Sequence, residues 1–142
     1  YKRQVIQEAL IRAGLDADKV DDVILGHGYP SGENPAIGRL VSLKAGLPIE
    51  VPGYQLDRRC SSGLQAILTA SMLIQTENAD VVIAGGVESM SNAEFYSNES
   101  RWGARFGSVT FAENRKFAAN WRPLGTAAES HGWLCSERVA SR

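Results

Sequence analysis

The sequence predicts an α/β fold in which a β-sheet is covered by helices on both faces. Three observations carry this prediction. Segments with helical apolar periodicity alternate with short apolar runs along the first 91 residues. The runs at 20–26 and 80–86 have continuous apolar centres, which is typical of strands buried on both faces. Glycine or proline follows most of these segments, as expected between the layers of a packed domain.

Three segments have the spacing of amphipathic helices. Residues 2–13 place apolar side chains at helical intervals and end before Gly14. Residues 36–45 end before Gly46 and Pro48, two residues that stop helices. Residues 64–75 carry a stripe of apolar side chains wide enough to bury one face and part of a second.

Three segments predict strands. Residues 20–26 and 80–86 run into Gly26 and into the pair Gly85-Gly86, and residues 53–56 run into the charged turn that precedes Cys60. Each strand is separated from the next by a predicted helix. This alternation is the pattern of β-α-β units.

Composition limits the classes of function. The 142 residues are 44% hydrophobic and 22% charged, which fits one ordinary globular domain. A net charge of −1 gives no case for nucleic acid as a partner, and no apolar run approaches the ~20 residues of a membrane-spanning helix. The two cysteines form neither a disulfide framework nor a metal-ligand pattern, which favours a reducing, cytoplasmic location. Because the first residue is Tyr, we expect the natural N-terminus to lie upstream, and organellar targeting stays open.

Cys60 is the leading candidate for chemistry, because it stands where a predicted strand becomes a predicted helix. Unpaired N–H groups and the helix dipole at such a position stabilise a thiolate, which is the form of cysteine that attacks. Arg58 and Arg59 would act in the same direction if their side chains faced the sulfur. A cysteine at a strand-to-helix turn is also often a small buried residue, so both interpretations stay open on the residues alone.

Three further sites have alternative interpretations. Gly26-His27-Gly28 follows a strand as in a dinucleotide-binding turn, but the prolines that come next favour a flexible glycine turn. His27 is a possible base for Cys60, or a structural histidine, since nothing in the sequence brings the two together. Glu88 lies just beyond a strand end, where α/β proteins place their sites, and is either functional or a hydrogen-bonded turn carboxylate.

Residues 92–121 differ in character from the segments before them. They have no clean period and are rich in aromatic side chains, namely Trp102, Phe106, Phe111, Phe117 and Trp121. Long irregular segments usually form functional loops or contact surfaces. Glu94, Glu99 and Glu113 dilute the positive charge, so an oligomer contact or a lid is favoured over a single-stranded nucleic acid site.

Six short motifs follow one another in order along the chain. They are 34–36 (NPA), 43–48 (LKAGLP), 51–52 (VP), 59–67 (RCSSGLQAI), 84–91 (AGGVESMS) and 123–129 (PLGTAAE). This ordered set resembles the landmarks of the thiolase family, densely over residues 2–91 and patchily beyond. One cysteine motif would be weak evidence, whereas the complete order is specific.

The resemblance implies a layered α-β-α architecture with a mixed sheet, of which this chain holds only a part. Residues 1–91 would form part of the N-terminal catalytic domain, and residues 92–142 would form the start of a loop or lid domain. In the family, the strand entering the nucleophile packs across a dimer interface. A homodimer or homotetramer is therefore expected, with residues 54–57 at the contact.

The resemblance also implies an acyl-CoA C-acyltransferase, which cleaves 3-oxoacyl-CoA or condenses two acyl-CoA molecules. Cys60 matches the family's nucleophile, which attacks the thioester and holds the acyl group, and its backbone N–H would stabilise the oxyanion. Acyl-CoA, acetyl-CoA and free CoA would be the substrates, with no separate cofactor and no metal.

Two departures from the family pattern restrict this expectation. Family members carry a His that activates the nucleophile and a second Cys that acts as acid and base, and neither segment is found in this sequence. Cys135 lacks the glycine-rich setting of that second cysteine, and His131 does not match the base. We therefore expect the 142 residues alone to be inactive as a thiolase.

Two alternatives to a thiolase stay open at this point. The first is a condensing enzyme of the ketoacyl-synthase type, which also places a cysteine at a helix start; the motifs at 34–36 and 88–91 favour a thiolase. The second is a non-catalytic, thiolase-like lipid carrier or oligomer partner.

Overall fold

The centre of the computed structural model is a sheet of three parallel strands in the order β2-β1-β3. The structure describes residues 2–103 and 106–113. Strand β1 is Asp22–Gly26, β2 is Gly53–Leu56 and β3 is Val82–Gly86. All three predicted strands are confirmed. Strands β1 and β3 each begin two residues later than predicted.

Helices cover both faces of this sheet, as the sequence predicts. Helix α1 is Lys2–Ala13, α2 is Ile37–Ala45 and α3 is Ser62–Gln75. Along β1, Val23 and Leu25 belong to a core shared with α1 and α2, whereas Ile24 packs with Ala66 and Ala70 of α3. Side chains alternate between the faces of a strand, so this division places α1 and α2 on one side and α3 on the other.

The apolar stripes of α1 and α3 are buried over a narrower width than predicted. In α1, Ile6 and Leu10 are buried, whereas Val5 is 58% exposed. In α3 the buried side chains are small. Leu73 is partly buried against the core, whereas the other large apolar side chains are at least 46% exposed: Leu64, Ile67, Leu68, Met72 and Ile74. Small residues on the inner face let α3 lie close to the sheet, which leaves most of its large apolar side chains outside the described core.

A carboxylate joins β1 and β3 at the amino end of the sheet. Asp21 Oδ2 accepts hydrogen bonds from the N–H groups of Asp80 and Val81, both at 2.8 Å. These backbone donors, that of Val81 first, lower the pKa of Asp21 from its usual value of 3.8. The contact stabilises the start of the β1–β3 ladder.

The segment beyond residue 91 contains a small second sheet that the sequence does not predict. Strands β4 (Phe95–Tyr96) and β5 (Ala112–Glu113) pair antiparallel, with Phe95 opposite Glu113. Two-residue strands are too short to show a period in the sequence. Antiparallel pairing thus occurs here, while the three described strands of the central sheet are all parallel. The division into residues 1–91 and 92–142 stays a prediction.

Candidate active site at the carboxyl edge of the sheet

The loops that follow the three strands of the central sheet meet at its carboxyl edge. Parallel strands end at the same edge of a sheet, which is where α/β proteins form their sites. Gly28, in the loop after β1, lies against both other loops. A Cβ atom at this position would stand 3.1 Å from Glu88 Oε2 and 3.8 Å from Arg59 Cα. Cys60 follows Arg59 directly, so the candidate nucleophile lies where the three loops converge.

Cys60 lies in a single 3-10 turn, Arg59–Ser61, and its thiol is free and exposed. The α-helix itself begins at Ser62. The sequence predicted Cys60 at the helix start, and the structure places it one tight turn earlier. Among the described residues, none accepts a hydrogen bond from the Cys60 N–H. Thiol and N–H therefore belong to one exposed residue beside a helix N-terminus.

Arg59 holds the turn in an uncommon backbone conformation. Its φ of 52° lies in the left-handed region, which residues other than Gly, Asn and Asp rarely adopt. Asp57 supports this conformation: Oδ1 accepts the Arg59 N–H at 2.7 Å, and Oδ2 lies 3.0 Å from Arg59 Nη1. Strain of this kind persists only where surrounding contacts impose it, and such residues cluster at functional sites.

Ser62, the first residue of α3, is hydrogen-bonded to the turn that carries Cys60. Its side chain is buried, and its Oγ accepts the Arg58 N–H at 2.8 Å and donates to the Arg59 carbonyl at 2.6 Å. The Ser61 N–H donates to the Arg58 carbonyl at 3.1 Å. These bonds fix the backbone on both sides of Cys60.

The two arginines before Cys60 bind oxygen atoms of neighbouring residues. Arg58 Nη1 donates to Gln65 Oε1 at 2.5 Å. Arg59 Nη1 donates to the Gly28 carbonyl at 2.5 Å, and its guanidinium lies 5.4 Å from the centre of the Tyr29 ring. The condition under which these arginines would stabilise a thiolate, that both side chains face the sulfur, therefore has no support in their contacts. Both instead brace the turn that carries Cys60.

Three glycines bring the start of α3 against the ends of β1 and β3. A Cβ atom on Gly26 would stand 2.3 Å from the Ser62 carbonyl carbon. A Cβ on Gly86 would stand 3.5 Å from Gly63 Cα. Glycine allows backbones to approach this closely, and the approach sets how far the Cys60 turn stands from the sheet.

Glu88 joins the loop after β3 to the loop after β1. Its Oε2 accepts the N–H groups of Gly28 at 2.9 Å and Tyr29 at 3.2 Å, and its Oε1 lies 3.3 Å from Nε2 of the buried His27. Glu88 is therefore a hydrogen-bonded turn carboxylate, one of the two interpretations of the sequence. His27 is buried and faces Glu88, so the structure supplies no contact that would make it a base for Cys60.

Other kinds of site receive no support within the described residues. The loop after β1 runs for ten residues before α2, which agrees with a glycine turn rather than a dinucleotide-binding turn. Residues 2–103 and 106–113 contain no group of three or more His, Cys, Asp or Glu side chains placed to hold a metal ion. No helix in the same ranges is long and apolar enough to cross a membrane.

The family model described as "Thiolase, N-terminal domain" matches residues 2–130. The chain belongs to the thiolase family. This confirms the resemblance drawn from the six motifs, and it favours a thiolase over a condensing enzyme of the ketoacyl-synthase type. The match also covers residues 92–130, where the motifs were patchy.

Thiolase relatives match nearly the whole chain. An acetyl-CoA acetyltransferase of Pseudomonas aeruginosa is 41% identical over 140 residues, which are 97% of this chain and 34% of that protein. One from Schizosaccharomyces pombe is 37% identical over 93% of this chain and 34% of its own length. The crystal structure of the Bacillus anthracis acetyl-CoA acetyltransferase superposes with a TM-score of 0.73 at 42% identity, covering 77% of this chain and 28% of that one. The chain thus spans about a third of the length of these curated thiolases.

The residues that support the Cys60 turn at this candidate site were not predicted from the sequence. Asp57 was recognised only as part of a charged turn, although an Asp two residues before a turn N–H is a known signal for an Asx-type bond. Ser62 was noted only as part of a motif, and no local pattern shows that Tyr29 lies near Arg59. The predictions at His131, Cys135 and 123–129 lie outside the described residues.

Proposed function

We propose that the protein containing these residues is an acyl-CoA C-acyltransferase, a thiolase that works through a covalent acyl-cysteine at Cys60. One observation carries the proposal: an exposed, free thiol sits at the meeting point of three strand ends in a chain of the thiolase family. The names of the relatives, acetyl-CoA acetyltransferases, point to acetyl-CoA and free CoA as substrates.

The chemistry proposed for Cys60 is acyl transfer in two steps, from the CoA sulfur to the Cys60 sulfur and then to a second nucleophile. The Cys60 thiolate attacks the carbonyl carbon of an acyl-CoA, a new C–S bond forms to Cys60, and the bond to the CoA sulfur breaks. CoA leaves as a thiolate and takes up a proton from solvent. A second nucleophile, either a CoA thiolate or the carbanion of another acyl-CoA, then removes the acyl group. The overall reaction involves no net oxidation or reduction, so the proposal includes no cofactor beyond the CoA thioesters.

The backbone supports this chemistry at the point where charge develops. The carbonyl oxygen of the thioester becomes an oxyanion during attack, and an N–H donor beside the nucleophile stabilises it. Cys60 carries such a donor on the same residue, and no described residue accepts from it. The tight turn and the start of α3 hold this N–H close to the thiol.

The test is acylation of the chain by acetyl-CoA, followed by intact-protein mass spectrometry and peptide mapping. We expect one acetyl group on Cys60, none in Cys60→Ser, and unchanged labelling in the matched control Cys135→Ser. Failure of the wild-type chain to become acetylated, or labelling at Cys135 instead, would contradict the proposal and favour the non-catalytic alternative.

The 142 residues alone are proposed to undergo this single acylation without turnover as a thiolase. The residues that the family uses to activate the nucleophile and to serve the second substrate match no segment of this sequence. Acetoacetyl-CoA cleavage is the assay. A turnover rate close to that of a complete thiolase would contradict this part of the proposal.

Self-association through β2 is the proposed quaternary arrangement, giving a homodimer or homotetramer. Among the strands of residues 2–103 and 106–113, β2 pairs with β1 on one side and with none on the other, and Tyr54 on it is 39% exposed. An edge strand of this kind offers unpaired backbone groups to a second copy. Light scattering coupled to size-exclusion chromatography tests the arrangement, and a monomer at micromolar concentration would contradict it. We also propose a cytoplasmic location, supported by the sparse cysteines.

A further inference from the structure

Glu88 and Asp21 make the same kind of contact at opposite ends of the β1–β3 pair. Each uses one carboxylate oxygen to accept two consecutive backbone N–H groups across the two strands. Asp21 takes those of Asp80 and Val81 at the amino end, and Glu88 takes those of Gly28 and Tyr29 at the carboxyl end. Only the second contact lies on the side of Cys60. Comparing variants of the two carboxylates therefore distinguishes an effect on the stability of the fold from an effect on the Cys60 site.

A short series of contacts leads from Glu88 to Cys60. The Gly28 and Tyr29 N–H groups bind Glu88, while the Gly28 carbonyl accepts a hydrogen bond from the Arg59 guanidinium and the Tyr29 ring lies beside it. Arg59 precedes Cys60 and has the left-handed backbone conformation of the turn. The peptide segment held by Glu88 is thus the surface against which the Arg59 side chain rests.

We propose that Glu88 is a positioning residue for acyl transfer at Cys60: it fixes the backbone of Gly28 and Tyr29, against which Arg59 holds the turn carrying the thiol and its N–H. This inference rests on the function proposed above. Glu88 acts through Gly28, Tyr29 and Arg59 rather than by touching the substrate or Cys60. It thereby sets the direction in which the Cys60 N–H and sulfur point.

An acceptor oxygen, rather than negative charge, is what this role requires. Oε2 accepts both N–H groups, and the side-chain carbonyl of Gln supplies an oxygen at the same reach. Asp keeps the charge but is one methylene shorter, which draws the acceptor away from Gly28 and Tyr29. Glu88→Gln should therefore preserve positioning, and Glu88→Asp should lose it.

Two reactions of Cys60 distinguish positioning from simple stability. Acetylation by acetyl-CoA needs the sulfur and the N–H aligned on one carbonyl, whereas alkylation by iodoacetamide needs only an accessible thiolate. In Glu88→Ala we expect acetylation of Cys60 to slow by about tenfold or more, as small misplacements of reacting groups do. Iodoacetamide alkylation should stay within about twofold of wild type, because the thiol remains exposed.

Glu88→Gln should acetylate within about threefold of wild type, since a neutral acceptor bonds somewhat more weakly. Asp21→Ala is the matched control for Glu88→Ala, because it removes the equivalent contact at the far end of the sheet and should leave both rates unchanged. Should Glu88→Ala fail to fold, the comparison of Glu88→Gln with Glu88→Asp decides the question, with the Asp variant expected to be the slow one.

The possible failures are separable. A wild-type chain that acetyl-CoA does not label contradicts the proposed function itself. A labelled wild type with Glu88→Ala equally fast overturns the positioning role alone. Acetylation and alkylation falling together would overturn it as well. So would Asp21→Ala slowing acetylation as much as Glu88→Ala does, or Glu88→Asp being acetylated faster than Glu88→Gln.

Discussion

Gly26 and Ser62 are in backbone-to-backbone contact, so close that a Cβ atom on Gly26 would lie 2.3 Å from the Ser62 carbonyl carbon and 2.4 Å from the Gly63 nitrogen. Both obstacles are main-chain atoms, so no side-chain rotation could make room. The end of β1 and the start of α3 are therefore locked together without any side chain between them. This contact determines where the Cys60 turn stands.

Gly26→Ala should destabilise the protein by about 3 kcal/mol, the upper part of the usual range for forcing extra volume into a packed site. The helix start must move away from the sheet to admit the methyl group. Urea denaturation followed by circular dichroism measures the change. Gly85→Ala is the control, because its Cβ would meet only Leu25 Cδ2 at an ordinary 3.7 Å. Equal stability losses in the two variants would contradict the argument.

Cys60 should react with iodoacetamide near neutral pH roughly tenfold faster than Cys135, because its thiol is free and exposed just before the start of α3. Time-resolved labelling of the folded chain with peptide mapping gives both rates in one sample. The same experiment in denaturant is the control, and there the two rates should converge. Equal labelling in the folded chain would count against an activated Cys60.

Helices α2 and α3 end in the same motif with different residues at its left-handed position. Gly46 has φ 91° and Glu77 has φ 58°. The residue that follows each donates to a carbonyl five positions back: Leu47 to Ser42 at 3.2 Å and Asn78 to Leu73 at 2.9 Å. The glycine meets this geometry without strain, and the glutamate does not.

Exchanging these residue types should have opposite effects on stability. Glu77→Gly should stabilise the fold by about 1 kcal/mol and Gly46→Ala should destabilise it by about the same amount. A Cβ on Gly46 would meet no atom within 4 Å, so its cost is conformational only. Thermal unfolding of both variants checks the pair. Changes in stability of the same sign in the two variants would show that backbone strain in the left-handed region does not determine these effects.

Acid should weaken the fold partly through Asp21. The N–H groups of Val81 and Asp80 hold the pKa of Asp21 below its usual 3.8 in the folded chain. A carboxyl with a lowered folded pKa contributes stability that is fully present above the unfolded value and is lost as pH falls through the folded one. The stability difference between wild type and Asp21→Asn should therefore shrink as pH falls from about 5 to about 2.

Urea midpoints measured across this range test the Asp21 prediction. Glu99→Gln is a suitable control variant, because Glu99 is exposed and its hydrogen bond, from the Trp102 N–H at 3.2 Å, is accepted by the backbone carbonyl, which the substitution keeps. A difference that stays constant with pH would show that the Asp21 contact does not titrate.

Most of the central fold follows from local pattern in the sequence. The period of 3.6 along 2–13 and 36–45, and the apolar centres at 23–25 and 81–84, locate helices and strands to within two residues. Cys60 was singled out because the transition from strand to helix is itself a local signal. Local patterns of this kind depend on residues a few positions apart.

The contacts that build the site are long-range and leave no such pattern. Glu88 binds Gly28 and Tyr29 from about 60 positions away, and Arg59 reaches Gly28 from 31 away. The positive φ of Arg59 is also imposed by those contacts and is opposed by its own propensity. The sequence therefore located the candidate nucleophile but not the residues that support it.

The carboxylates of Asp21 and Glu88 also bear on how the chain selects its strand alignment while folding. Strands β1 and β3 share only five paired positions. A slip of two residues would keep every side chain on its original face, so hydrophobic patterning alone does not forbid it. Such a slip would carry Asp80 and Val81 away from Asp21, and Glu88 away from Gly28, at the same time. The misaligned strands would lose the carboxylate hydrogen bonds at both ends together. The two carboxylates therefore stabilise the native alignment relative to the slipped one.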